Sequence, residues 1–274
     1  PASPPAAGSM DCSQRQTPPR IRRLVNSADR ASESRIRADR EGGAARLTVS
    51  TIIPVLFDSP ALVQLLDCLD SSGNGPEQTV VIDGSASSAC KRICTERQCL
   101  YLALEPNRGR QLDAGAAAAS GDVLWFLHAD SVPPANGADL IRHHVEAGYI
   151  GGYFGFTFTG PQSWYKKALS ASINLRARIG IPYGDQGLFV ARNVYHQSAG
   201  YTPTPLFEEV HLVKSLRRMG QFGPVDATIG VSPRRWERDG WVRRTLNNRL
   251  MAMAYMAGVS PQRLARYYYS TGSG

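Results

Sequence analysis

Short runs of β-branched and aliphatic residues alternate with helical patterns through the first half of this chain. That alternation restricts the fold more than any other feature. Residues 47–53 form the first run, ended by Pro54. Residues 79–82 (Thr-Val-Val-Ile) form the second, closed by Asp83 and Gly84. Residues 99–104 and 122–127 supply the third and fourth. Between the first and second runs, Leu62, Leu65, Leu66 and Leu69 fall on one face of a helix. Residues 86–97 read as a second helix and residues 109–119 as a third, rich in alanine. Strands at this spacing are joined by crossover helices and lie parallel in a sheet covered on both faces. The wholly apolar run at 80–82 agrees, because a strand buried on both sides has no solvent face to fill with polar residues.

The second half is less regular. Residues 151–159 alternate aromatic and small side chains, which predicts a strand with an exposed face. Helices are expected over 163–178, 208–218, 240–256 and 261–269, and strands over 187–190 and 224–231. Residues 1–46, rich in Pro, Ser, Ala and Arg, read as a disordered or weakly ordered basic arm.

The net charge of +8 sits at the two ends. Residues 1–46 carry nine arginines against five acids, and residues 231–270 carry eight against two, which leaves the stretch between them at −2. A nucleic-acid-binding fold would carry its basic patch on the folded body, so that class is disfavoured. The pattern suits a binder of a small phosphorylated ligand, or a loose contact with an anionic membrane surface. The five cysteines, at 12, 68, 90, 94 and 99, are odd in number and form no Cys-x-x-Cys pair. They read as the reduced thiols of a cytoplasmic protein. No apolar run reaches the ~18 residues of a membrane span, and no secretory signal is expected at the start.

Ligands bind such sheets at the carboxyl ends of the strands. Four short segments therefore matter: Pro54 to Asp58, Asp83 with Gly84, residues 106–111, and residues 128–130. Asp83 can accept from a base or ribose hydroxyl, or it can simply be a turn residue. His128 and Asp130 emerge from a buried run, and in an extended segment such a pair points the same way. The pair could hold one hard divalent cation completed by substrate phosphates. A capped strand end is the alternative. Arg108, Arg110 and Gln111 open a helix whose free N–H groups and guanidiniums suit an anion, or a solvated turn. Glu208 and Glu209 are general-base candidates, although acids are favoured at a helix start in any case. Gly184, Asp185 and Gln186 form a loop that could hold an acceptor or a metal-side water. Arg234, Arg235 and Trp236, with Arg238, suit a diphosphate clamp.

In this order the pieces resemble family 2 glycosyltransferases with the GT-A fold. Within them the chain looks like a bacterial subgroup whose genes often lie beside radical-enzyme and selenium-related genes. The segments that carry the resemblance are 50–55 (Ser-Thr-Ile-Ile-Pro-Val), 81–84 (Val-Ile-Asp-Gly), 108–111 (Arg-Gly-Arg-Gln) and 114–118 (Ala-Gly-Ala-Ala-Ala). They continue with 127–131 (Leu-His-Ala-Asp-Ser), 183–187 (Tyr-Gly-Asp-Gln-Gly), 207–210 (Phe-Glu-Glu-Val) and 234–240 (Arg-Arg-Trp-Glu-Arg-Asp-Gly). The resemblance spans residues 47–269.

It implies a single GT-A-type domain over 47–239, a Rossmann-like, mostly parallel α/β sheet with helices on both faces. The C-terminal helices, 240–274, would pack on that domain or on a membrane or partner surface. The implied activity is hexosyltransferase-like: a sugar moves from a UDP- or GDP-sugar to a hydroxyl acceptor, with inversion and with Mg or Mn. Glu209, or failing that Glu208, would be the catalytic base. Asp130 and His128 would hold the metal. Pro54, Asp58, Asp83, Arg108, Arg110, Gln111, His128, Ala129, Arg234, Arg235 and Trp236 would bind the donor. Gly184, Asp185 and Gln186 would meet the acceptor. Three positions depart from the family's pattern: Phe57-Asp58 stands where Asn-Glu is usual, Glu209 where Asp is commoner, and Asp113 where Asn is usual. Nucleotidyl transfer and non-catalytic nucleotide-sugar binding stay as alternatives, the first without its Gly-rich, Lys-bearing loop after the first strand. A dehydrogenase is excluded by the lack of Gly-x-Gly-x-x-Gly there. Further partners are a homodimer or a peripheral contact at the inner face of the membrane, with no nucleic acid.

Overall fold

The computed structural model describes residues 46–271. All of the expected arm except Arg46 lies outside them. The four apolar runs are β1 (Val49–Val55), β2 (Gln78–Asp83), β3 (Leu100–Ala103) and β4 (Val123–Phe126). α1 (Ser59–Asp70), α2 (Ser88–Glu96) and α3 (Arg108–Ala118) connect them, and they pair in parallel as β3-β2-β1-β4. The sheet continues through β7 (Phe189–Ala191), β6 (Gly151–Phe158), β8 (Phe222–Val231) and β5 (Ser131–Val132). There β6 and β8 are parallel, while β4–β7, β6–β7 and β5–β8 are antiparallel. The remaining helices are α4 (Gly137–Glu146), α5 (Trp164–Ile179), α6 (Arg192–Gln197), α7 (Val210–Met219), α8 (Arg234–Asp239), α9 (Trp241–Met256) and α10 (Pro261–Thr271).

The result is the expected α/β architecture, a mostly parallel sheet with helices on both faces. Side chains alternate across a strand, so neighbours in β1 enter different cores. Ile53 packs under α1 with Leu62, Leu65, Leu66 and Leu69. Ile52 packs on the other face with Leu112 and Ala116 of α3 and with Leu212 and Leu216 of α7. Cys90 and Cys94 share the buried face of α2.

Several boundaries differ from the sequence reading, each for a physical reason. Pro54 does not end β1, which runs on to Val55. The carbonyl of Ile52 faces β4, accepting from Leu127 N, so two residues on Pro54 also faces that side. The β1–β4 pairing has already stopped at Ile52 and Phe126, so the missing N–H costs no ladder bond. β6 has no exposed face: Tyr153, Phe154, Phe156 and Phe158 are all buried. Its glycines serve close approach instead, since a Cβ on Gly151 would lie 2.5 Å from Phe189 O and one on Gly152 2.5 Å from Gly223 O. α7 begins at Val210, after the acid pair rather than at Glu208. Three further elements, β5, α4 and α6, lie outside the strands and helices expected from the sequence; β5 and α6 are only two and six residues long.

Gly115 lets α3 lie directly on the sheet: a Cβ there would meet Ile52 Cγ2 at 2.5 Å and Ile82 Cδ1 at 2.6 Å. Gly115→Val overpacks that contact and adds a β-branched residue to a helix. We expect a loss of about 2 kcal/mol or more, read as a lower urea midpoint with an unchanged m-value.

Candidate active site

A cavity of about 210 Å³ opens beyond the carboxyl ends of β4 and β8. A larger depression of about 350 Å³ lies on the body of β6 and β8, around Tyr153 and Asp226. The smaller one is the candidate site, because it occupies the strand-end position and gathers the charged residues singled out in the sequence. Arg108, His128, Asp130, Gly184, Asp185, Glu209, Arg235 and Trp236 all line it.

One wall is the segment before α7. Phe207 adopts a left-handed φ of 60°, unusual for a bulky residue. Its ring stacks on Tyr255 at 4.5 Å and meets Tyr183 edge-on at 6.0 Å. The turn that follows sends the two acids in different directions. Glu208, 1% exposed, forms an ion pair with Arg108 and leaves Oε2 without a partner. Glu209, 4% exposed, faces the cavity. Burial, reinforced by the charge of Glu208 and opposed by Arg108, pushes the Glu209 carboxyl up to about 8.

The facing wall is the end of β4. Residues 128–130 are a turn rather than an extended segment, with Ser131 N donating to His128 O at 3.1 Å, yet His128 and Asp130 both reach the cavity. The His128 ring lies against the 3-10 turn Gly184–Gln186, where a Cβ on Gly184 would sit 3.0 Å from Nε2. Burial, with the charges of Arg108 and Arg235, holds His128 well below the usual histidine range, so it is a neutral imidazole at physiological pH. The Asp185 carboxyl is held above the usual range by burial, with Arg176 and Arg108 opposing and Asp130 adding to it. Its Oδ1 is buried without a hydrogen-bond partner. Among the described residues no three His, Cys, Asp or Glu side chains converge into a ready metal cage. Asp130, a neutral His128 and the unanswered Asp185 oxygen are nonetheless donors that fit a divalent ion completed by ligand phosphates.

Other candidates sit elsewhere. Asp83 is fully buried and accepts from Ser85 N, Ser85 Oγ, Ser87 N and Tyr101 OH at 2.6–3.2 Å. Burial pushes its carboxyl up, but those bonds outweigh it and hold the group below the ordinary value. Gln111 is buried too, its Nε2 bridging Val55 O and Ile82 O at 3.2 and 2.8 Å. Arg110 is exposed and off the cavity, and its N–H is not free: it donates to Asn107 Oδ1 at 3.0 Å. Gln186 is fully buried and binds Phe154 O. Ala129 turns into the core. Pro54 and Asp58 do not line the cavity. Of the 234–238 run, Arg235 and Trp236 reach it, while Arg234 turns to Ser232 and Arg238 to Asp239. Trp236 is 8% exposed and packs on Phe156 and Phe158, so it is a core residue with one edge at the site. The sequence reading missed the contribution of α9, where Arg244, Asn248 and Met251 complete the wall at helical spacing.

Residues 50–197, more than half of the chain, match the family described as Glycosyl transferase family 2. No curated protein matches the sequence. Among solved structures, the chain is similar to glucosyl-3-phosphoglycerate synthase from Mycobacterium tuberculosis in complex with Mn2+, UDP-Glc and phosphoglyceric acid, at 16% identity and a TM-score of 0.52, covering 68% of this chain and 71% of that one. It is also similar to the mannosyltransferase PcManGT from Pyrobaculum calidifontis in complex with GDP-Man and Mn2+, at 14% identity and a TM-score of 0.52, covering 77% of this chain and 66% of that one. At these identities the likeness is one of fold.

The buried Glu209 makes a pH prediction. Its carboxyl keeps a proton in the folded chain up to about 8 but ionises at about 4.5 when unfolded. The folded state then binds more protons in that window, so this group's contribution to stability falls as pH rises from about 4.5 to about 8. Melting curves across that range should fall more steeply for the wild type than for Glu209→Gln. Parallel curves would show that the carboxyl is not held protonated.

Proposed function

The chain belongs to glycosyl transferase family 2, and we propose that it moves a sugar from a UDP- or GDP-sugar to a hydroxyl acceptor with inversion at the anomeric carbon. The observation that carries the reading is the convergence of Glu209, Asp130 and His128 on one cavity, with Arg108 and Arg235 beside them. The Mycobacterium synthase is in complex with UDP-Glc and the Pyrobaculum mannosyltransferase with GDP-Man, which supports a nucleoside diphosphate sugar as donor.

Glu209 serves as the base in this reading. The acceptor oxygen attacks the anomeric carbon while its proton passes to the Glu209 carboxylate. The bond from that carbon to the diphosphate oxygen breaks, and the departing diphosphate keeps the electron pair. Arg108 and Arg235 offset the charge that gathers there. A bound divalent ion, held by Asp130 and His128 with Asp185 at its side, would supply further neutralisation. Asp185 and Gly184 line the acceptor side. We give Asp83 an indirect part, since its oxygens are occupied in shaping the 83–87 turn. Asp58, whose side chain makes no cap bond to α1, takes the contact to the nucleotide. Glu209 and the 234–236 run lie beyond the residues matched to the family, so their roles rest on the cavity. We read the chain as one of the bacterial subgroup it resembles and place the reaction in the cytoplasm, as the motif order and cysteine pattern support.

A panel of nucleotide sugars with Mn2+ or Mg2+ tests the reading. One donor should raise the melting temperature and be turned over. Glu209→Gln should keep the donor-induced shift while kcat drops about 10²- to 10⁴-fold. Wild-type kcat should rise with pH through about 8, because the base acts in its ionised form. The proposal fails if no donor binds or reacts and Asp130→Ala changes nothing.

A further inference from the structure

Two neighbouring helices leave apolar faces uncovered. On α5, Trp164, Ala168, Ala171, Leu175 and Ile179 recur every three or four residues and all are exposed, Trp164 by 81% and Ile179 by 80%. On α9, Val242, Leu246, Leu250, Met253 and Met256 do the same, Val242 by 81% and Met256 by 77%. This is the spacing of a helix face turned to an apolar phase. The buried residues of each helix stand on its opposite side: Lys166, Ser170 and Ala177 on α5, Arg244 and Met251 on α9. The helices touch, with the rings of Tyr165 and Trp241 at 4.9 Å and Arg249 Nη2 donating to Ser172 Oγ at 2.7 Å. Both apolar rows therefore look outward on one face.

The charge carried by the helices of this face has one sign; the nearby acids, Glu237 and Asp239 of α8, turn to Lys166 and Arg244 on their buried sides. α5, α9 and α10 contain no Asp or Glu. Lys167, Arg178, Arg243 and Arg249 are exposed along the rows, and Arg263 and Arg266 are exposed on the next helix. A twofold dimer through this face would set those cations against the same cations of a second copy, with no acid on these helices to answer them. A phosphate-bearing lipid surface answers all of them and takes the apolar rows as well.

We propose that the α5–α9 face docks on an anionic lipid bilayer, the apolar rows entering the headgroup–acyl boundary and the flanking cations meeting lipid phosphates. The cavity lies on the inner side of the same α9, through Arg244, Asn248 and Met251. Docking would thus hold it about one helix diameter, ~10–12 Å, from the lipid surface. The argument rests on the two helices and holds whatever reaction the cavity supports.

The test is sedimentation of the full chain with vesicles of phosphatidylcholine alone or mixed equally with phosphatidylglycerol. The chain should bind the mixed vesicles, release as salt rises, and bind the neutral ones weakly. The combined variant Val242→Ser, Leu246→Ser, Leu250→Ser, Met253→Ser should partition more than about tenfold less. Trp164→Ser with Ile179→Ser, on the other helix, should weaken binding independently. Arg243→Glu with Arg263→Glu should do so at low salt. Circular dichroism melting checks that each variant is folded. Failure of the wild type to bind the mixed vesicles overturns the proposal. So does binding that folded serine variants leave unchanged, or a solution dimer that the same variants split.

Discussion

A carboxylate buried as deeply as Glu208 needs a cation or hydrogen-bond donors to offset its desolvation, and Arg108 supplies the cation. That pair joins the two halves of the fold. Arg108 stands at the start of α3, in the parallel half, and Glu208 lies before α7, in the second half. The seam admits little else: a Cβ on Gly109 would lie 1.9 Å from Thr202 O, and Thr202 N donates to Glu208 O at 3.1 Å. With Glu208 turned to Arg108, Glu209 is left facing the cavity, buried beside a like charge. Its proton affinity thus follows from how the two halves meet.

The rest of the cavity shares that economy of charge. Burial, with the charges of Arg108 and Arg235, keeps His128 neutral, and burial, with the charge of Asp130 adding to it, holds the Asp185 carboxyl above its ordinary range. Such a set of acidic and basic groups, some held off their ordinary titration range, is characteristic of sites that do chemistry. Asp83 shows the opposite arrangement. Four hydrogen bonds satisfy it fully, and it holds a turn in place.

The parallel half was legible because a strand segment buried on both faces is apolar throughout, as β4 is and as residues 80–82 of β2 are. β6 misled because glycine serves two ends, a solvent face or a close approach of backbones, and the letters look alike. The strand ends were readable too, since topology alone makes them the place for ligands, and Asp130 and His128 sit there. Spacing could not tell which polar residues at those ends are consumed by the fold. Gln111, Gln186 and Asp83 have the composition of ligand-binding residues and the geometry of struts. α9 was opaque for another reason. Its inner row at 244, 248 and 251 and its outer row at 242, 246, 250 and 253 both follow helical intervals, and the outer row is the more apolar. Periodicity by itself points the wrong side inward.

The cavity is walled from distant parts of the chain, from Arg108 on α3 to Tyr268 on α10, with Phe207 stacked against Tyr255 of α9. This has a consequence during synthesis. A ribosome releases the parallel half first, and strands β1 to β4 can pair with their helices while the tail is still being made. At that stage Asp130 and Arg108 stand at an open sheet edge, without the aromatic wall and without Arg244, Asn248 or Met251. A nascent chain is therefore folded over the whole parallel half while it still lacks an enclosed site, which closes only once α9 and α10 have been made.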